Sequence, residues 1–267
     1  MCRYLQFVDV QGSRGLTTTS PAILEGKQIA KNFGSFRALD GLDFNVSASE
    51  VFGIAGPNGA GKSTLLSVIA GTCRLSSGKV IFEGKEIQDL KPHTICRLGI
   101  ARTFQTPAFF PSLTVRDNVG LALFYGKRSH EDAIEIADVL ELVGLSGKGP
   151  MPTATMSLLE IKRLTIAICL ATRPKLLMLD EIMAGLNPSE MGEVIEIVEE
   201  LHKRGVTIIM IEHRMDVLTK LSTRLMIIHY GKRIALGEPE DVCEDQDVIE
   251  CYLGKRTAAK LGGKSNS

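Results

Sequence analysis

"GPNGAGKST", residues 56–64, decides how the rest of the chain is read. It satisfies the pattern GxxxxGK[ST]. The apolar run "VFGIA" precedes it and "TLLSVIA" follows it, a strand-like and then a helix-like stretch, which is the context a phosphate-binding loop needs. Gly56, Gly59 and Gly61 let backbone amides curl around phosphate oxygens, with Pro57, Asn58 and Ala60 completing the loop. The dipole of the following helix adds a favourable field. Lys62 sets a point charge on the β and γ phosphates, and Ser63 offers a hydroxyl to Mg2+. A glycine-rich turn with an incidental lysine would not account for the strand and helix on either side.

Outward from the loop, the pattern alternates. Residues 23–56 read as strands, the helix after the loop stops near Gly71, and "SSGKVIFEG" with "EGKEIQD" reads as a hairpin. From about 107 to 172 the texture becomes mostly helical; within it "SHEDAIEIADVLELVG" has Ser129 as N-cap and Gly144 as stop. "LLMLD" and "VTIIMI" are short, continuous apolar runs, as expected of parallel strands buried on both faces. Between them a helix begins at Asn187 (cap) and Pro188 and ends at Gly205. The expectation is an α/β fold with a mainly parallel sheet, an antiparallel β subdomain and an inserted α-helical subdomain. Residues 1–20 read as an extension, 21–240 as the main domain, and 241–267 as a C-terminal extension with a basic, frayed tail.

Composition narrows the class. The 267 residues carry 31 basic and 31 acidic side chains, so nothing in the total points to nucleic acid. The chain is 44% apolar, yet no run of 18 apolar residues occurs, so no transmembrane helix is expected. "MCRYLQFVDVQG" lacks the apolar core of a signal peptide. Six scattered cysteines, with no CxxC, suit a reducing compartment better than a disulfide or zinc framework.

Other residues gain meaning as a set. "LLMLDE" ends in Asp180 and Glu181; a strand-end aspartate can hold Mg2+, and an adjacent glutamate can polarise an attacking water. Gln105 in "ARTFQTP" lies where the sheet gives way to the helical segment, and His213 follows another apolar strand. Taken singly, a solvated glutamine and a structural histidine are the ordinary readings. "MSLLEIKRL" at 156–164 places Ser157 three residues before Glu160, a capping box that opens a helix, and a helix start is also an anion site.

With these residues in order, the chain resembles the ATP-binding cassette family from about residue 22 to 254. The resemblance implies a P-loop NTPase core, with Gln105 as the Q-loop glutamine, Asp180 and Glu181 closing a Walker B strand, "AGLN" at 184–187 as D-loop and His213 as switch histidine. It also implies that Phe33 stacks on adenine, an ordinary core phenylalanine being the alternative. The implied mechanism has Lys62, Ser63 and Thr64 bind the phosphates of ATP and Mg2+, and Gln105 and Asp180 complete the metal sphere. Glu181 then activates water, and His213 stabilises the transition state. "RTFQ…FFPSLTVRDNV" and "GKRIALGEPEDVCEDQDVIECYLG" are similar to the branched-chain amino-acid transporter branch. The implied assembly is a second cassette, integral membrane permease subunits and, indirectly, a solute-binding protein, with the chain peripheral on the cytoplasmic face. Phe109 and Phe110 either line the groove for the membrane subunit or pack inside the helical subdomain.

Two departures from the family pattern stand out. The signature, usually LSGGQ, reads Met156-Ser157-Leu158-Leu159-Glu160, with both glycines replaced by leucine, and Ile182 stands where proline usually follows the catalytic glutamate. Cβ branches can obstruct phosphate approach, which favours a heterodimer whose partner supplies a glycine-bearing signature. It also keeps open a mainly regulatory or structural cassette. A soluble ABC ATPase without transport function is the third reading.

Overall fold

The computed structural model describes residues 22–106, 108–126 and 135–253. Ser129, the expected N-terminal extension and the basic tail from residue 254 lie outside the described residues, whereas 241–253 of the expected C-terminal extension are described. The chain divides into two units, one formed by Ala22–Lys91 with the chain from Ile209 on, the other by Pro92–Ile208.

The first unit opens with β1 (Ala22–Phe33) and β2 (Phe36–Ser47), an antiparallel pair whose tight connection contains Gly34 at φ +59°. β3 (Val51–Ala55) is buried along its whole length. α1 (Lys62–Ile69) follows, and Gly71 at φ +71° lies just past its end. β4 (Ser77–Phe82) and β5 (Lys85–Glu86) form the expected hairpin and complete an antiparallel sheet of order β2-β1-β4-β5.

The second unit is where helices concentrate. α2 (Pro92–Leu98) leads into β6 (Ile100–Arg102), followed by α3 (Val115–Gly126) and α4 (Ile136–Leu142). A single 3-10 turn, Thr153–Thr155, precedes α5 (Leu158–Ala171). β7 (Leu176–Asp180) pairs in parallel with β6, Arg102 standing opposite Met178, and α6 (Pro188–Lys203) comes next. The expected Asn187 cap is present with Glu190 as its reciprocal partner, and Gly205 at φ +82° ends the helix.

β8 (Thr207–Ile211) carries the chain back across the unit boundary. α7 (Met215–Leu221), β9 (Arg224–His229), β10 (Lys232–Gly237), α8 (Pro239–Glu244) and α9 (Gln246–Leu253) complete the first unit. β9 pairs in parallel with β3 and antiparallel with β10. The β3, β7 and β8 runs "VFGIA", "LLMLD" and "TIIMI" are buried at every position, the polar ends Asp180 and Thr207 included, as their otherwise continuous apolar patterns require. No described helix is long and apolar enough to cross a membrane.

Candidate functional site: a phosphate loop and a carboxylate pair

The phosphate loop belongs to the first unit, and its shape is imposed by its neighbours there. Gly56, Gly59 and Gly61 take φ of +147°, +79° and +107°, values an L side chain adopts only with strain. Space is as restrictive as torsion. A Cβ at Gly56 would lie 2.0 Å from the Ile228 carbonyl oxygen, and one at Gly61 2.4 Å from that of Ala38. The β9–β10 turn buttresses the loop: the Gly231 amide donates to the Ala60 carbonyl at 3.0 Å, and the Asp40 amide donates to the Gly231 carbonyl at 2.9 Å. The Gly56 backbone also hydrogen-bonds the Tyr252 phenol of α9, whose pKa burial nevertheless pushes up to about 12.

Lys62 is 5% exposed and folds back over the loop, its Nζ donating to the Gly56 carbonyl at 2.7 Å and the Pro57 carbonyl at 3.1 Å. The ammonium thus stands at the mouth of the loop it is expected to serve. Gly61 caps α1 without a capping side chain, so the helix dipole faces the loop uncompensated by any carboxylate in the first turn.

Phe33 ends β1 with 53% of its surface exposed, which sets aside the core-phenylalanine alternative. It lines a cavity of about 240 Å³ with Ser63, Thr64, Ser67, Thr72 and Cys73. Lys31 Nζ stands 4.8 Å from its ring centroid, a cation–π contact that fixes the ring. The cavity joins an aromatic face to two hydroxyls at the helix start, an arrangement suited to a base linked to phosphates. His213 lies exposed in the turn after β8.

The carboxylates belong to the second unit. Asp180 closes β7 at 3% exposure; its amide donates to Thr103 Oγ1 at 3.0 Å, and its Oδ2 accepts from Arg102 Nη2 at 2.7 Å. Asp180 Oδ1 is buried with no hydrogen-bond partner among the described residues. An orphaned buried carboxylate oxygen is costly, and it suits a hard cation or its bound water. The residues therefore fit Mg2+.

Glu181 takes φ +49°, left-handed for a non-glycine residue, at the turn from strand to loop. Gln105 Nε2 donates to its Oε2 at 3.0 Å, and Lys162 Nζ of α5 reaches its carbonyl at 3.5 Å. Gln105, Asp180 and Glu181, 76 residues apart at the ends of that hydrogen bond, thus form one cluster. Ile182, the substituted proline position, is 2% exposed and packs as an apolar residue.

Ser157 caps α5 as its sequence predicts: its Oγ accepts from the Glu160 amide at 3.3 Å while Glu160 Oε2 accepts from the Ser157 amide at 2.7 Å. Glu160 also pairs with Lys148, and this ammonium, together with the Ser157 amide, holds its carboxyl below the usual range. Leu158 is 44% exposed, and its Cδ2 would lie 3.0 Å from a Cβ at Gly185, so the leucine leans on the glycine of "AGLN" in its own chain. Sequence reasoning missed Arg102, Lys162, Lys148 and Tyr252. The only sequence signal for Arg102 is a basic residue ending an otherwise apolar strand, "GIAR".

A family model described as ABC transporter matches residues 39–184. The chain belongs to that family. Over 253 residues it is 35% identical to the high-affinity branched-chain amino acid transport ATP-binding protein of Pseudomonas aeruginosa, covering 88% of this chain and 99% of that one. It is 36% identical over 251 residues to a probable branched-chain amino acid transport ATP-binding protein of Methanocaldococcus jannaschii, covering 87% and 98%. Among solved structures, a nucleotide-free ATP-binding cassette from an ABC transporter superposes with a TM-score of 0.79 at 34% identity, covering 88% of this chain and all of that one. The ADP conformation of an ABC transporter cassette gives 0.78 at the same identity and coverage. The ABC cassette described here is accordingly a nucleotide-binding ATPase of the α/β type expected, with an antiparallel β sheet and a helix-rich part.

Proposed function

We propose that this cassette is the ATP-hydrolysing subunit of an importer for branched-chain amino acids or a related small polar solute. What carries the reading is the cluster at the end of β7: Glu181 engaged by Gln105 at 3.0 Å, beside a buried Asp180 oxygen with no described partner. In this reading Phe33 stacks on adenine and the amides of 56–64 hold the phosphates. Lys62 exchanges its two carbonyl contacts for β and γ oxygens. Ser63, Gln105 and Asp180 would hold Mg2+, which would supply positive charge to the phosphates. Glu181 exchanges its contact with Gln105 for the attacking water and takes a proton from it. His213 donates to the γ-phosphate as charge develops.

Hydrolysis works through a head-to-tail pair of cassettes in which Ser157 and the start of α5 face the partner's nucleotide. The pair drives integral membrane permease subunits and, through them, a solute-binding protein, with this chain peripheral on the cytoplasmic face. Phe110, 59% exposed and held by Asn118 through its amide and carbonyl at 2.8 and 3.1 Å, is the surface offered to the permease. The names of the relatives support the substrate class.

The exposed Leu158 in the signature favours a second reading, a cassette that binds ATP but rarely turns it over. Reconstitution of the chain with its permeases, partner cassette and binding protein in vesicles separates the two. Solute-stimulated ATP turnover that stops on Lys62→Ala in this chain supports the first; transport and turnover untouched by that substitution support the second.

A further inference from the structure

The segment that brings Gln105 to Glu181 also brings a cation to Asp180. β6 ends at Arg102, opposite Met178 on β7, and the Thr103 amide extends the ladder by donating to the Met178 carbonyl at 2.9 Å. Thr103 Oγ1 then receives the Asp180 amide at 3.0 Å. These bonds fix the register in which Arg102 Nη2 meets Asp180 Oδ2 at 2.7 Å, with the two side chains 7% and 3% exposed. The guanidinium Cζ lies 5.4 Å from the Phe104 ring centroid, which gives it a second support.

We infer that Arg102 is a built-in counter-charge for Asp180 that sets how much Mg2+ the nucleotide site requires. The inference rests on reading Asp180 as the metal-facing carboxylate. A carboxylate buried this deeply is not tolerated alone, and an arginine stays protonated, so its charge is permanent. The pair therefore keeps the metal-free protein folded, at the expense of metal affinity. With Oδ2 taken by the guanidinium, Oδ1, buried and without a partner among the described residues, is the oxygen left for a cation or its water, and that cation must approach an existing positive charge where screening is weak. Arg102 is a positioning residue: it acts through Asp180 and touches no substrate. A cassette built this way commits Asp180 to the metal only when Mg2+ is abundant.

The test uses the full chain, a fluorescent ADP analogue and an Mg2+ titration, with Mn2+ paramagnetic resonance as an independent readout. Arg102→Gln keeps a donor for Oδ2 and removes the charge, whereas Arg102→Lys keeps the charge. Arg102→Gln should lower the half-saturating Mg2+ concentration roughly tenfold, the effect of losing one opposing charged contact. Arg102→Lys, which keeps a positive charge beside Asp180, should stay within about twofold of the parent, and neither variant should alter analogue affinity in the presence of EDTA. An unchanged or raised Mg2+ requirement in Arg102→Gln overturns the inference. Should that variant fail to fold, the parent chain still decides: the nitrogen-15 guanidinium signal of Arg102 should shift when Mg2+ joins bound ADP, and an unmoved signal overturns the inference. Asp180→Asn separates the two claims. If it retains the parental Mg2+ requirement, Asp180 is not the metal-facing group; if it loses Mg2+ dependence while Arg102→Gln behaves as the parent, only the role of Arg102 falls.

Discussion

Replacing Gly61 with alanine tests the phosphate loop where torsion and space act together. At φ +107° the added Cβ meets a left-handed backbone, which costs about 1–2 kcal/mol. It would also lie 2.4 Å from the Ala38 carbonyl oxygen and 2.9 Å from Leu39 Cδ2. The Ala38 carbonyl is strand backbone in β2 and cannot swing aside as a side chain would, so the overlap adds roughly 1–3 kcal/mol of overpacking. The sum is about 2–5 kcal/mol. Gly59 supplies the control: its φ is +79°, and a Cβ there meets nothing within 4 Å. Gly59→Ala should therefore lose only the torsional part, about 1–2 kcal/mol. Urea unfolding of parent and both variants measures the difference, and a fluorescent ATP analogue reports whether the displaced amides still bind phosphate. Gly61→Ala should be the less stable by roughly 1–3 kcal/mol and the weaker binder. Equal losses in both variants, or a Gly61→Ala chain with parental stability and affinity, would refute the argument that neighbouring strands dictate the loop.

Lys62→Ala should weaken ATP binding roughly ten- to a hundredfold, the worth of one charge-assisted contact of about 1.5–3 kcal/mol; calorimetric titration measures it. Glu160 has a depressed folded pKa, so its contribution to stability is full above its ordinary value of 4.5 and is lost as pH falls through the folded value. Glu160→Gln should therefore be less stable than the parent at neutral pH, with the gap closing as pH falls below the ordinary carboxylate range, as read from urea midpoints on both sides of it. The glycine-free signature should make the chain alone at least about tenfold slower per site than a heterodimer with a glycine-bearing partner, since a lost charged contact costs about a decade or more. Full-rate, cooperative hydrolysis by the purified chain alone would show that leucine is tolerated there.

The residues whose roles depend on local chemistry were legible in the sequence. The glycines at 56, 59 and 61 announce positive φ, Ser157 with Glu160 announces a capping box, and Asn187-Pro188 announces a helix start; the structure has each of them. Unbroken apolar runs located β3, β7 and β8 because burial on both faces leaves no alternation to read. What escaped depends on partners distant along the chain. Arg102 meets Asp180 across 78 residues, and the Gly231 amide that steadies Ala60 belongs to a hairpin whose strands show no distinctive turn motif. Leu158 illustrates a different gap. Its sequence suggests an obstruction at phosphate, while its side chain leans toward Gly185 of its own chain, a direction set by packing rather than by pattern.

Glu181 carries the central claim, and one comparison tests it most directly: ATP turnover by the assembled transporter containing either the parent chain or Glu181→Gln, with bound nucleotide quantified in the same samples. Glutamine keeps the shape of the side chain and its capacity to meet Gln105, and it removes the base. The account predicts that ATP binds with parental affinity and the ATP-bound dimer persists, while turnover at this site falls at least about a hundredfold, the lower range for loss of a general base. Parental turnover in Glu181→Gln would contradict it, and the residue that activates water would have to be sought elsewhere.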